Sequence, residues 1–154
     1  MLFSLATPEY TNVQSNTIKV RVHLRSGIAE IFEQHQDLMG KIDNNIIEIE
    51  TNFENKVEKT SFVLQDAVFI VSNQDTTIED EKGTGVYVYA KRVKEITPDL
   101  SLEEISKEFE MKSVAFETEK QKLSVEGNDT DQNSKLLVLK EEVDFLKKVV
   151  SVVK

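Results

Sequence analysis

Hydrophobic periodicity changes once along this chain, at Thr97-Pro98-Asp99, and no other feature limits the possible folds as much. Before that point apolar residues recur at every second position. Ile18, Val20, Val22 and Leu24 alternate with Lys19, Arg21 and His23, as in a strand with one apolar face. Leu2-Phe3-Ser4-Leu5 reads as a short first strand. The apolar stretches 46–50 and 61–64 flank the polar residues 52–56, which predicts a hairpin with a long turn. Ala67-Val68-Phe69-Ile70-Val71 is a continuous apolar run, the pattern of a strand covered on both faces. Val86-Tyr87-Val88-Tyr89-Ala90 is β-branched and aromatic, and the polar stretch 72–85 before it reads as a solvated loop or extended hairpin tip. Short strands at this spacing predict a β-sandwich over residues 1–96.

Beyond the proline the period becomes helical. Ser101-Leu102-Glu103-Glu104 fits a capping box, followed by Leu102, Ile105, Phe109, Phe116 and Leu123 at heptad steps. Lys112 and Glu119 occupy the steps between and interrupt the stripe. A polar run at 127–133 predicts a turn. Leu136, Leu139, Val143, Leu146, Val150 and Val153 then follow at spacings of 3, 4, 3, 4 and 3, a seam for one other helix. The second domain, 97–154, is thus predicted to be an antiparallel two-helix hairpin. Its interrupted first stripe predicts a weakly held seam, able to exchange partners.

Composition narrows the function. No apolar run approaches the ~18 residues of a membrane span, so direct membrane insertion is not expected. The start lacks a secretory signal pattern, which places the chain in the cytoplasm where it is made. There is no cysteine. A net charge of −9 argues against nucleic acid as a partner. Charge is nonetheless segregated: residues 135–154 hold five lysines against three acids, a cationic helix that points to an acidic partner surface. Catalytic and cofactor chemistry finds little support. His23 and His35 stand without metal-ligand spacing. Gly83-Thr84-Gly85 lacks the lysine and following helix of a phosphate cradle and reads as a hairpin turn. Glu103-Glu104 and Glu141-Glu142 are adjacent rather than facing. The expectation is a non-enzyme without cofactor or metal that works by holding other proteins.

The order of elements resembles the ε subunit of F-type ATP synthases, called δ in mitochondria. Thr7-Pro8-Glu9 stands where that family has a TPE- or SAE-like start. The stretch from Gly27 to Leu38 follows its G-x-x-G-I-x-P-G-H-x-P-L loop at Gly27, Ile31, His35 and Leu38. Ile47 and Ile49 fit the hairpin after it. Departures are specific. The loop's second glycine is Glu30, its proline-glycine is Glu33-Gln34, and its later proline is Asp37. The hairpin's proline-glycine is Asn44-Asn45, and a glycine pair in the next strand is Gln65-Asp66. The nucleotide motif of ATP-binding members meets Leu102-Glu103-Glu104-Ile105-Ser106-Lys107, with no arginine.

The resemblance implies a non-catalytic central-stalk subunit of a peripheral complex at the inner face of the membrane. His35, Leu38 and Glu9 would contact the γ subunit. Gly27, Ile28, Ala29 and Glu30 would form a loop facing the base or the membrane c-ring. Lys135, Lys140, Lys147 and Lys148 on the last helix would meet the catalytic α/β head and regulate hydrolysis. Two alternatives stand beside it: the same subunit in a divergent F1-like ATPase not coupled to a proton ring, and an unrelated β-sandwich adaptor with a coiled-coil tail.

Overall fold

The computed structural model describes residues 1–74, 83–126 and 130–154. They form two compact units, Met1–Thr97 and Pro98–Lys154. The first unit holds eight strands: β1 (Leu2–Ala6), β2 (Thr11–Gln14), β3 (Thr17–Leu24), β4 (Gly27–Phe32), β5 (Leu38–Ile42), β6 (Asn45–Phe53), β7 (Lys56–Gln74) and β8 (Gly83–Ile96). The second holds α1 (Leu102–Glu126) and α2 (Thr130–Val153). A β-sandwich followed by a helical hairpin is therefore the architecture.

The spine of the sandwich is the antiparallel pair β7–β8. On its other edge β7 pairs first with β6 and then with β5, and β6 leads on to β3 and β4. β8 continues in parallel to β1, which pairs with β2. Two long strands, β7 and β8, thus serve both layers, β4-β3-β6-β7 with the end of β8 and β2-β1-β8-β7-β5. The junction is Asp66, whose φ of +50° lies in the left-handed region. Inward residues change parity there: Phe62 and Leu64 precede it, and Ala67, Phe69 and Val71 follow. Between the layers Phe3, Leu5, Val20, Val22, Ile47 and Ile49 are fully buried, and the rings of Phe3 and Phe62 stack at 6.5 Å. Gly40 on β5 faces Phe69, where a Cβ would strike the phenyl ring.

Several sequence expectations change in the folded chain. Ile18 leaves the apolar face of β3 and is 43% exposed. The register slips between Thr17 and Lys19, so Ile18 is the extra residue of a bulge and Thr17 takes the buried place. The β6–β7 turn is short, not long: Glu54 and Asn55 alone connect Phe53 to Lys56. Both have positive φ, 50° and 63°, as a two-residue I′ turn requires. The run 67–71 is not covered on both faces; Val68 is exposed because strand alternation turns it outward. Gly83-Thr84-Gly85 is strand rather than turn, paired with Ser72, Asn73 and Gln74. Of the loop expected over 72–85, residues 75–82 lie outside the described residues.

In the helical unit Ser101 caps α1, its Oγ accepting from Glu104 N–H at 3.3 Å. The two residues that interrupt the α1 stripe each meet an opposite charge on α2. Lys112 pairs with Glu142 at 2.8 Å, and Glu119 with Lys135 at 3.2 Å. Each pair lies one heptad from the other on both helices, so antiparallel register matches the charges. The most buried α2 residues are Phe145 and Val149, outside the apolar series expected from spacing. Leu136, Leu139, Val143, Leu146, Val150 and Val153 are half-buried. Part of the turn expected over 127–133 is helix from Thr130, and 127–129 lie outside the described residues.

Candidate functional site

The two outer faces of the sandwich have opposite character. On the β2-β1-β8-β7-β5 layer, register aligns Met39, Ile70, Tyr87, Ser4 and Val13 in one row. The next row is Lys41, Val68, Tyr89, Ala6 and Thr11. Directly opposed residues share a face, so these rows are neighbours on the outside of one sheet. Met39 is 69% and Tyr89 57% exposed, and Val13 and Val68 are exposed as well. Ile70 and Tyr87 lie half-buried between them. Lys41 is the one charged member of the two rows.

The outside of the β4-β3-β6-β7 layer is instead an ion-pair ladder. Arg21 donates to Glu30 Oε1 through Nε and Nη2, at 3.0 and 2.6 Å, and lies 3.7 Å from Glu48. His23 Nε2 is 2.9 Å from Glu48 Oε2. Glu50 lies between Lys19 and Lys59, at 3.2 and 3.4 Å. The bond from Arg21 holds the Glu30 carboxyl below the usual carboxylate range, and the bond from Lys19 does the same for Glu50. These charges are already satisfied within the chain.

Between the layers, the β4–β5 connection is tied to the ends of β7 and β8. Gln34, at φ +66°, donates its N–H to Thr84 Oγ1 at 2.7 Å. Thr84 is buried; its hydroxyl donates to Asn73 Oδ1 at 2.6 Å and its N–H to Glu33 Oε1 at 2.8 Å. Asn73 N–H donates to Asp37 Oδ1 at 3.0 Å, and its side-chain amide donates to the carbonyl of His35. The Thr84 N–H is the main reason the Glu33 carboxyl sits below the usual range, with the Met1 amino group 3.1 Å away adding to it.

The residues singled out in the sequence are dispersed over this frame. His35 is half-buried in the tied loop, its Nδ1 2.7 Å from Gln36 O. Leu38 packs against the core. Glu9 is exposed in the β1–β2 turn, its N–H bonded to Thr7 Oγ1 at 3.3 Å. Gly27, Ile28, Ala29 and Glu30 are not a loop but the first four residues of β4. Arg25 and Ser26 complete the turn, which leaves Ala29 and Ile31 free to continue an inward alternation. In the helical unit, Lys135 is engaged by Glu119, Lys140 and Lys147 are exposed, and Lys148 is half-buried. The apolar sheet face escaped the sequence reading. Its signal was present in Tyr87 and Tyr89, which alternate with Val86 and Val88 and must take the opposite face. Among the described residues no group of three or more His, Asp or Glu side chains is placed to hold a metal ion.

No protein-family description and no curated protein matches this sequence. Solved structures do share its fold. One is a chain in the Euglena gracilis mitochondrial ATP synthase, in its OSCP/F1/c-ring part, which superposes with a TM-score of 0.56 at 10% identity. That likeness covers 99% of this chain and 80% of the other. A chain of the central stalk and c-ring of Tetrahymena thermophila mitochondrial ATP synthase superposes less closely, with a TM-score of 0.48 at 10% identity over 68% of this chain and 69% of that one, and the fold assignment does not rest on it.

Proposed function

We propose that this chain is a non-catalytic ε-type subunit of a rotary ATPase, which binds a γ-like subunit and links it to the base of the rotor. The observation that carries the reading is the apolar outer face of the β2-β1-β8-β7-β5 layer. A soluble domain rarely leaves adjacent Met, Val and Tyr side chains in water unless a partner covers them. The shared fold with an ATP synthase chain supports the choice of partner. His35 and Glu9 belong to the same proposed γ contact, while Leu38 acts by holding β5 against the core. Lys140 and Lys147 are assigned to an acidic surface of the catalytic α/β head. The complex is peripheral at the inner face of its membrane; among the described residues no helix is long and apolar enough to cross one.

The test is co-purification of the full-length chain from its native source, followed by identification of the captured proteins. A γ-like subunit and α and β subunits are expected. Capture of a c-ring selects a proton-coupled synthase, and its absence selects the divergent motor. Val68→Lys with Tyr89→Glu places two opposite charges, directly paired across the strands, on the apolar face. This variant is expected to melt within a few degrees of the unmodified chain and to lose γ by at least tenfold. Full retention of γ by the folded variant would refute the assigned surface.

A further inference from the structure

Residues 33–37 join β4 to β5, carry His35 and lead straight into Leu38 and Met39. A bond from His35 N–H to the Phe32 carbonyl, at 3.1 Å, closes the first turn of this connection. Gln34 holds a left-handed φ of +66° there, which costs a non-glycine residue energy. Beyond that turn the path is set from outside, by Asn73 of β7 and Thr84 of β8, which are directly opposed in register. Thr84 is buried, and its hydroxyl has one proton to give and lone pairs to accept with. The oxygen accepts the Gln34 N–H at 2.7 Å, and the proton goes to Asn73 Oδ1 at 2.6 Å. The second bond decides which way the Asn73 amide lies. With Oδ1 turned to Thr84, the Nδ2 donors face the connection and bind the His35 carbonyl and Asp37 Oδ1. One hydroxyl thus governs Gln34 directly, and His35 and Asp37 through Asn73.

We propose that Thr84 is a positioning residue for partner binding: through Gln34 and Asn73 it holds the β4–β5 connection in the one path that presents His35 and Met39 together. This role rests on the reading that a γ-like partner contacts His35 and the apolar face carrying Met39. Thr84 itself is only 2% exposed, so it acts through other residues. Valine in its place keeps the branch at Cβ and nearly the same volume. The Gln34 N–H then loses its acceptor, and Asn73 Oδ1 loses its donor. In its present orientation the Asn73 amide leaves Oδ1 unmatched; turned over, it sets Oδ1 against the His35 carbonyl. The backbone pairing of β7 with β8 needs no side chain, so the loss is local to the connection.

The full-length chain, isotope-labelled, is compared with Thr84→Val and Thr84→Ser. In Thr84→Val, amide exchange at Gln34, His35 and Asn73 is expected to quicken about tenfold, while exchange at Val20, Val22, Ile47 and Ile49 in the core is unchanged. Thr84→Ser keeps the hydroxyl, and both sets are expected to stay within about threefold of the unmodified chain. The γ-like subunit captured by co-purification then serves as the probe. Thr84→Val is expected to bind it about tenfold more weakly, and Thr84→Ser within about threefold of the unmodified chain. His35→Ala is expected to cost about tenfold in the unmodified chain and under about threefold in Thr84→Val, a coupling that loss of stability alone does not produce. Unchanged exchange at Gln34, His35 and Asn73 in Thr84→Val overturns the proposal. So does quickened exchange with full affinity, or additive losses with His35→Ala. If the unmodified chain captures no γ-like subunit, the functional reading fails and this role with it. The exchange measurements need no partner and tell the two failures apart.

Discussion

Glu33 shows how one side chain holds a connection in place. The Thr84 N–H binds its carboxylate, and the folded-state value falls below the ordinary one of 4.5. A lowered carboxylate contributes stability above its unfolded value, and the contribution disappears as pH falls through the folded value. Glu33→Gln keeps an acceptor for Thr84 but removes the charge. The variant is expected to be less stable than the unmodified chain at pH 7, with the gap closing below about pH 4. Urea denaturation at a series of pH values measures this, and a gap of constant size from pH 7 to pH 3 contradicts it. Left-handed residues do related work elsewhere. Gln34, Asn44 and Asp66 carry positive φ without being glycine, at or next to places where the resembled family has glycine. The backbone path is kept there at some steric cost.

At the scale of the element, the hairpin owes its register to charge as well as to apolar packing. Lys112 and Glu119 sit where an uninterrupted stripe would have leucine, yet each finds an opposite charge on α2. Lys112 and Glu142 are partly exposed, so their pair is worth about 0.2–1 kcal/mol. Lys112→Glu is expected to lose that pairing and add repulsion. Joining it with Glu142→Lys is expected to recover most of the loss. Thermal unfolding of the two single variants and the double variant forms the cycle, and additive effects show that the pair has no energetic coupling. Exchange of partners by this hairpin therefore requires breaking matched charges, not only releasing an incomplete apolar seam.

The whole molecule divides at Thr97-Pro98, and the first unit has its own closed core. A chain shortened to residues 1–97 is expected to unfold in one cooperative urea transition and still to capture the γ-like partner. On the proposed function, loss of the hairpin from the complex is expected to raise its ATP hydrolysis at low salt, where Lys140 and Lys147 are least screened. A shortened chain without a cooperative transition defeats the division. Equal hydrolysis by the shortened and full-length complexes at low and high salt removes the regulatory role of the lysines.

Local pattern determined the classes of element and their order. Period-two alternation, the proline boundary and heptad spacing are properties of neighbours in sequence, and they marked a sandwich followed by a helical hairpin. The acidic charge and the absence of metal-ligand spacing directed attention to partner binding by the same local logic. What pairing across the chain decides was out of reach. Ile18 reads as core until β6 imposes a bulge, and 67–71 reads as doubly covered until β5 and β8 flank β7 and leave Val68 outside. Lys112 and Glu119 read as defects until α2 brings Glu142 and Lys135 opposite them. The apolar face belongs to five strands from separate parts of the chain, and no window of sequence contains it. Register, set by hydrogen bonds between distant strands, is the physical quantity that turns scattered Met39, Val68, Tyr89 and Val13 into one surface.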